Sequence, residues 1–130
     1  MASLFTRIVK GEIPCHKILE DEHYLAFLDV RPINPGHTLV IPKKEIDYIF
    51  DVDDEFLGGL MVFSKKVAKM IQKEIPCKKI GMMVAGLEVP HTHIHLIPIH
   101  SVLDLNFANA KPMASDALAK VAQAIRKHAK

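Results

Sequence analysis

Cysteine is scarce in this chain, and the usual motifs of metal sites are missing. The two cysteines, Cys15 and Cys77, make a poor disulfide framework and are predicted to be reduced thiols in loops beside Pro14 and Pro76. H-E-x-x-H, C-x-x-C and an Asp/Asn-rich ion loop do not occur. The sequence therefore favours neither a disulfide-stapled domain nor a motif-built metal enzyme.

Long apolar runs and a strong net charge are also missing. No run approaches the roughly 20 apolar residues of a membrane span, and residues 1–5 lack the features of a signal peptide. The formal net charge of +2, with the histidines neutral, is too small to indicate nucleic acid or an anionic membrane as the main partner. We therefore expect a cytoplasmic protein with neither of these partners.

The composition is that of an ordinary globular domain. Of the 130 residues, 49% are hydrophobic and 25% are charged. A chain of this length can bury one substantial core, but not two. Length and composition therefore agree with a small single-domain enzyme.

Hydrophobic spacing predicts three helices and five strands. Apolar residues step by three and four over residues 53–75, which predicts a long amphipathic helix with an acidic beginning. Gly58 and Gly59 disfavour that helix, so we expect them to allow close approach to the sheet or to a second subunit. Shorter helices are predicted over residues 3–10, with Ser3 as the cap, and 115–127. Strands are predicted over residues 16–20, 23–28, 37–41, 80–85 and 91–99.

The most informative stretch is His91-Thr92-His93-Ile94-His95-Leu96-Ile97, with histidines at alternate positions. A period of two is that of a strand, so the imidazoles should leave one face while Thr92, Ile94 and Leu96 pack on the other. The sequence thus predicts a row of basic side chains that enters a pocket.

Three interpretations of this row are open. It could be a partly exposed, histidine-rich strand. It could bind a metal ion, although the outer two Cα atoms would lie about 13 Å apart, so all three could not share one ion without a bend. In the third, the central imidazole of His93 attacks an electrophilic phosphorus while its neighbours fix its tautomer and stabilise charge.

The stretch resembles the signature of the histidine triad (HIT) superfamily, His-x-His-x-His with apolar x positions. Residues 4–14, 25–30 and 36–43 resemble its Hint-like branch in order and spacing. The resemblance covers roughly residues 3 to 100. It implies an α+β fold with a five-stranded, mainly antiparallel sheet, one long helix, a short N-terminal helix and a C-terminal helix. We accordingly expect a HIT domain over residues 1–100 and a helical extension over 101–130, packed on the same domain.

The resemblance also implies the site residues. His93 is the expected nucleophile, His95 assists departure of the leaving group, and His91 and His37 hold the tautomer of His93. Asp29 is expected to accept hydrogen bonds from the ribose hydroxyls, although a simple turn aspartate is the alternative. The remaining residues expected to bind substrate are Phe5, Ile8, Phe27, Val30, Gly86 and Glu88.

Two departures from the family pattern concern ligands. Many HIT proteins bind a structural zinc through a C-x-x-C pair and two histidines, whereas this chain has Ser3, Thr6 and Glu45 at three of those places, so no metal is expected. The loop over residues 86–90 is shorter than in typical members and lacks their asparagine and Gly-Gln-Ser/Thr run. Glu88 there would repel a phosphate unless it turns outward, pairs with a protonated histidine, or marks a changed substrate.

The implied activity is hydrolysis, without metal or cofactor, of a nucleoside phosphoramidate or related adenylated substrate through a covalent nucleotidyl-histidine. The expected ligand is a purine nucleotide or nucleoside phosphoramidate, and the expected assembly is a homodimer that joins two sheets. A nucleotide-binding module with little turnover, a dinucleoside polyphosphate hydrolase and a metal hydrolase remain the alternatives.

Overall fold

A computed structural model describes residues 2–129. These residues form the predicted α+β arrangement. The helices are α1 (Leu4–Val9), α2 (Asp54–Glu74) and α3 (Ser115–Arg126). The strands are β1 (Lys17–Glu20), β2 (Tyr24–Leu28), β3 (Thr38–Pro42), β4 (Lys79–Met83) and β5 (Ile94–Ile99). Short 3-10 turns lie over residues 49–51, 102–104 and 107–109.

The five strands form one antiparallel sheet in the order β1-β2-β3-β5-β4. Strand β5 lies between β3 and β4, and His95 on β5 pairs with Leu39 on one side and Met83 on the other. The histidine-bearing end of the chain therefore lies inside the sheet, where neighbours on both sides fix its backbone.

Helix α2 covers one face of the sheet. The Asp53 carboxylate caps it by accepting a hydrogen bond from the Phe56 N–H at 2.9 Å, as an N-cap does. A Cβ atom on Gly59 would lie 2.2 Å from the Tyr24 hydroxyl oxygen, whereas one on Gly58 would meet open space. The expectation of close approach to the sheet is thus confirmed for Gly59 alone.

The two faces of the sheet carry two separate hydrophobic clusters. Along β2, Tyr24, Ala26 and Leu28 pack into the larger cluster with α2 and α3, while Leu25 and Phe27 pack into a smaller cluster beneath α1. Ile94 and Leu96 of β5 belong to the larger cluster. Because side chains alternate along a strand, His95 faces the α1 side of the sheet.

The residues after 100 return across the same body. Backbone N–H groups of Lys111 and Met113 donate to the carbonyls of Pro32 and Val30, each at 3.2 Å. Helix α3 then places Leu118, Ala122 and Ile125 in the larger cluster. The extension therefore shares the core and passes beside the loop that follows β2.

Cys15 and Cys77 are free and half-buried. Within residues 2–129, no helix is both long and apolar enough to cross a bilayer.

Candidate active site

The prediction of a strand from residue 91 is wrong for its first three residues, because β5 begins at Ile94. The Thr92 N–H donates to the Ile46 carbonyl at 2.6 Å, so the chain leaves the ladder for the loop after β3. The three imidazoles still lie together. The rings of His93 and His95 are 5.0 Å apart between centroids, and Phe5 contacts the rings of both His91 and His93. All three residues are buried.

The proton of His93 is fixed by the backbone. Its Nδ1 atom lies 2.8 Å from the His91 carbonyl oxygen, which can only accept a hydrogen bond. Nδ1 must therefore carry the proton. In the neutral ring this leaves the lone pair on Nε2, which is the atom a nucleophilic histidine uses.

A second pair of imidazoles is ordered in the same way. The Ile33 N–H donates to His37 Nδ1 at 3.0 Å, so the neutral His37 ring carries its proton on Nε2. That Nε2–H donates to His95 Nδ1 at 2.9 Å, which places the proton of His95 on its Nε2. Burial lowers the pKa of His37 to about 4 and, with charge repulsion from His37 and His93, that of His95 to about 3. Both rings are therefore neutral near pH 7.

His91 has a partner at each ring nitrogen. Its Nε2–H donates to the Pro42 carbonyl at 2.7 Å, and its Nδ1 accepts from the Ser3 hydroxyl at 2.9 Å. Burial lowers the pKa of His91, which agrees with a neutral ring. His91 therefore reaches His93 through its backbone carbonyl, while both of its ring nitrogens are already hydrogen-bonded inside the protein.

Asp29 follows β2 and lies at the edge of the histidine cluster. One carboxylate oxygen accepts from the Arg31 N–H at 2.9 Å, and the other lies 3.6 Å from His37 Nε2. Partial burial raises the pKa of Asp29. One oxygen serves the turn, as the turn-aspartate alternative requires. The second has no protein hydrogen bond among residues 2–129 and is available to a ligand.

Asp29, His37 and His95 are also the one group of described residues whose ligand atoms lie close enough to suit a metal ion, within 4.8 Å of one another. The proton order argues against such an ion. His37 would have to give up its Nε2 proton while Nδ1 still faces the Ile33 N–H. Metal binding there would require an imidazolate or an unpaired, buried backbone N–H, so the donor set fits a cation poorly.

Four of the residues expected to bind substrate separate into two sets. Phe5 and Phe27 are buried and touch each other edge to face at 5.6 Å, and Phe5 also contacts the His93 ring at 5.0 Å. Ile8 is half-buried against the same cluster, and Val30 is 59% exposed. Phe5 thus packs against the His93 ring with Phe27 behind it, while Ile8 and Val30 are the more accessible apolar residues.

A cleft of about 420 Å³ opens beside His93. Its walls come from the loop after β3 and the loop after β4: residues 47–50, 84–87, Thr92 and His93. Gly86 lies in this wall with a φ of +75°, a conformation that favours glycine. Glu88 is exposed, forms no ion pair among residues 2–129 and does not line the cleft, which supports the outward orientation among the three alternatives.

Sequence reasoning missed contacts that depend on distant parts of the chain. Ser3, Thr6 and Glu45 form a hydrogen-bonded cluster at His91, in the places where the resemblance puts zinc ligands. The hydroxyls of Ser3 and Thr6 are poor zinc ligands. Phe107, in the extension, contacts the His95 ring edge to face at 4.9 Å. An apolar residue in a turn-rich segment gives no signal of such a contact.

Comparison with known proteins yields one family. The HIT domain model matches residues 10–102. An uncharacterised HIT-like protein of Methanocaldococcus jannaschii is 40% identical in an alignment 105 residues long that covers 73% of this chain and 77% of that one. The adenosine 5'-monophosphoramidase of Schizosaccharomyces pombe is 39% identical over 99 residues, 75% of this chain and 74% of that one.

Solved structures agree over nearly the whole chain. A Hit-like protein of Bartonella henselae, described as involved in cell-cycle regulation, has a TM-score of 0.86 at 31% identity, covering 97% of this chain and 95% of that one. A hypothetical histidine triad nucleotide-binding protein of Sulfolobus tokodaii has a TM-score of 0.86 at 27% identity, with 96% and 90% covered.

Proposed function

Because this chain belongs to the HIT family, we propose that it is a nucleotide hydrolase that cleaves nucleoside phosphoramidates at the α-phosphorus through His93. The observation that carries the proposal is the hydrogen bond from His93 Nδ1 to the His91 carbonyl, which leaves the Nε2 lone pair free. A relative 39% identical to this chain is named adenosine 5'-monophosphoramidase, which supports the same substrate class.

In the first step, the His93 Nε2 lone pair forms a bond to the α-phosphorus and the phosphorus–nitrogen bond of the substrate breaks. The Nε2–H of His95 gives its proton to the departing nitrogen, which leaves as the amine. One proton from solvent then replaces it on His95. The order of protons from Ile33 through His37 to His95 supports this assignment because it places that N–H on the side of His95 away from His37.

In the second step, water attacks the phosphorus of the nucleotidyl-histidine. The bond to Nε2 breaks, its electron pair returns to the ring, and the water releases one proton. The product is the nucleoside monophosphate, and the proton taken up in the first step is returned. Neither step as proposed uses a metal ion, so we expect turnover to persist in the presence of a chelator.

Asp29 is proposed to bind the ribose through its unpaired carboxylate oxygen, and Ile8 and Val30 to contact a purine base. Phe5 packs against the His93 ring, and Phe27 packs against Phe5. Gly86 is proposed to bring the loop backbone near the phosphate, where its N–H could replace the missing amide and hydroxyl side chains. Glu88 would border the site from solvent.

The test compares wild type with His93→Asn on adenosine 5'-phosphoramidate and a dinucleoside polyphosphate. We expect turnover of the phosphoramidate to fall at least about 10³-fold in His93→Asn, as when a covalent nucleophile is removed. A quenched reaction of wild type should show protein carrying one nucleotidyl group, and His93→Asn none. The matched control is His23→Asn, an exposed histidine outside the site. Full activity in His93→Asn would refute the proposal.

A nucleotide-binding module with little turnover is the second candidate. It is favoured by the loop beside His93, in which Ala85, Gly86 and Leu87 offer no hydroxyl or amide side chain to a phosphate. Tight binding of nucleoside monophosphate by wild type, with no nucleotidyl adduct and no turnover, would support this candidate instead.

We also propose a homodimer formed through the β4 edge of the sheet. Among residues 2–129, strand β4 pairs with another strand on one side only, and it exposes Met82, with Val84 exposed directly after it. Sedimentation at micromolar concentration tests this, with Met82→Lys expected to give monomers.

The cytoplasmic location stays a prediction.

A further inference from the structure

Glu45 lies in the loop after β3 and has no part in the mechanism above, yet its carboxylate is a centre of the hydrogen bonds around His91. One oxygen, Oε1, accepts from the Ser3 N–H at 2.7 Å and from the Thr6 hydroxyl at 2.6 Å. These hydrogen bonds, that from Thr6 above all, lower the pKa of Glu45 to about 2. Glu45 is therefore ionised near pH 7 and can only accept.

That acceptor sets the directions of the two hydroxyls. Because the Thr6 proton is committed to Glu45, it is not available to His91 Nδ1, 3.3 Å away. The Ser3 hydroxyl, held by accepting from the Thr6 N–H at 3.0 Å, is the remaining donor, and its closer acceptor is His91 Nδ1 at 2.9 Å rather than the Thr6 hydroxyl oxygen at 3.3 Å. His91 Nε2–H already donates to Pro42, so Nδ1 requires this donor.

His91 is in this way fixed at three points. Its ring is bonded at both nitrogens, and its backbone N–H donates to the Val89 carbonyl at 2.8 Å. The carbonyl of the same residue accepts from His93 Nδ1. A small rotation of the peptide between His91 and Thr92 would lengthen the hydrogen bond from His93 Nδ1 to the His91 carbonyl. The proton of His93 would then no longer be held on Nδ1.

We propose that Glu45 is a positioning residue: acting through Ser3 and His91, it keeps the His91 carbonyl where it holds His93 in its nucleophilic tautomer. The catalytic part of this inference rests on the proposed function, whereas the tautomer part does not. Glu45 itself touches neither His93 nor the cleft beside it. Its effect should therefore be on kcat with little effect on KM.

The experiment uses Glu45→Ala and Glu45→Gln in the full chain. With adenosine 5'-phosphoramidate, we expect kcat of Glu45→Ala to fall about tenfold, as for other residues that orient a site from behind. KM should stay within about twofold. Glu45→Gln retains an oxygen that accepts from both donors and should recover most of kcat. Glu12→Ala is the matched control, because Glu12 is an exposed carboxylate paired with Arg7 of α1 and makes no contact with His91.

Two-bond ¹H–¹⁵N correlation spectra of histidine-labelled protein without substrate supply the second readout. Wild type should show His93 protonated on Nδ1, and Glu45→Ala should show a mixture of tautomers for His93. This distinguishes the two proposals: a wild type that hydrolyses no phosphoramidate refutes the proposed function, while the spectra still decide the role of Glu45. Unchanged His91 and His93 signals in Glu45→Ala would overturn it.

A double-mutant cycle tests the route through Ser3. If Glu45 acts through that hydroxyl, Glu45→Ala should change the His93 tautomer little further in a Ser3→Ala background. Additive effects would overturn the proposed route. Should Glu45→Ala not fold, Thr6→Val, which removes one of the two donors to Glu45, takes its place in the cycle.

Discussion

The Nε2 atom of His37 lies 2.9 Å from Nδ1 of His95, and the direction of the hydrogen bond between them is set by a backbone group, the Ile33 N–H on the far side of His37. Both rings are neutral and buried. Two side chains 58 residues apart along the chain thus fix the position of each other's ring proton.

The buried histidines should make stability depend on pH. The pKa of His37 is lowered to about 4 in the folded protein, against about 6.5 when unfolded, so the unfolded chain binds more protons between these values. Its contribution is present above pH 6.5 and is lost as the pH falls toward 4. We expect about 2 kcal/mol less stability from this one residue at pH 5 than at pH 7.

Urea unfolding of wild type and His37→Gln at both pH values measures that loss. The free energy of unfolding of His37→Gln should change less between pH 5 and pH 7 than that of wild type. His23→Gln, at an exposed position, should show the same change as wild type. Equal slopes for wild type and His37→Gln would contradict the assignment of a buried, neutral His37.

Asp29→Asn should weaken recognition of the ribose. A hydrogen bond to a carboxylate contributes about 1.5 to 3 kcal/mol, so kcat/KM for a ribonucleoside phosphoramidate should fall about 10- to 100-fold. The 2',3'-dideoxy analogue lacks the hydroxyls and should be cleaved by wild type and variant at similar rates. An equal loss on both substrates would mean that Asp29 acts on His37, 3.6 Å away, rather than on the ribose.

Gly59→Ala should destabilise the protein because its Cβ would lie 2.2 Å from the Tyr24 hydroxyl oxygen. Overpacking of this kind costs about 1 to 3 kcal/mol, measured as a shift of the urea midpoint. Gly58→Ala is the control: it meets open space and should gain up to about 1 kcal/mol from helix propensity. In a Tyr24→Phe background the penalty of Gly59→Ala should shrink, and a penalty of the same size there would rule out this clash.

Phe107→Ala should reduce activity with little effect on stability. The ring is 44% exposed and meets His95 edge to face at 4.9 Å, so its loss admits water beside His95. Loss of a contact that orients a catalytic ring should lower kcat/KM about two- to tenfold. Leu103→Ala, on the same segment and 82% exposed, is the control. Matching kinetics for the two variants would show that Phe107 has no role.

Much of the fold follows from local patterns. The acidic beginning and the apolar spacing of α2 predicted residues 53–75, and the helix begins at Asp54 with Asp53 as its cap. The strand over residues 91–99 was predicted too long at its beginning, because periodicity does not reveal that Thr92 bonds Ile46 outside the ladder. The contact of Phe107 with His95 lay beyond any local signal, since it depends on the path of the chain after β5.

The sequence by itself determined which residues could share a face: alternate histidines with Ile94 and Leu96 between them predicted imidazoles on the face opposite an apolar core. Only the tertiary structure decided which nitrogen of each imidazole carries its proton. The two neutral tautomers of an isolated ring differ little in free energy, so the nearest fixed donor or acceptor decides which tautomer forms. For His91 those partners are Pro42 and Ser3, 49 and 88 residues away along the chain, and folding alone brings them within hydrogen-bond distance.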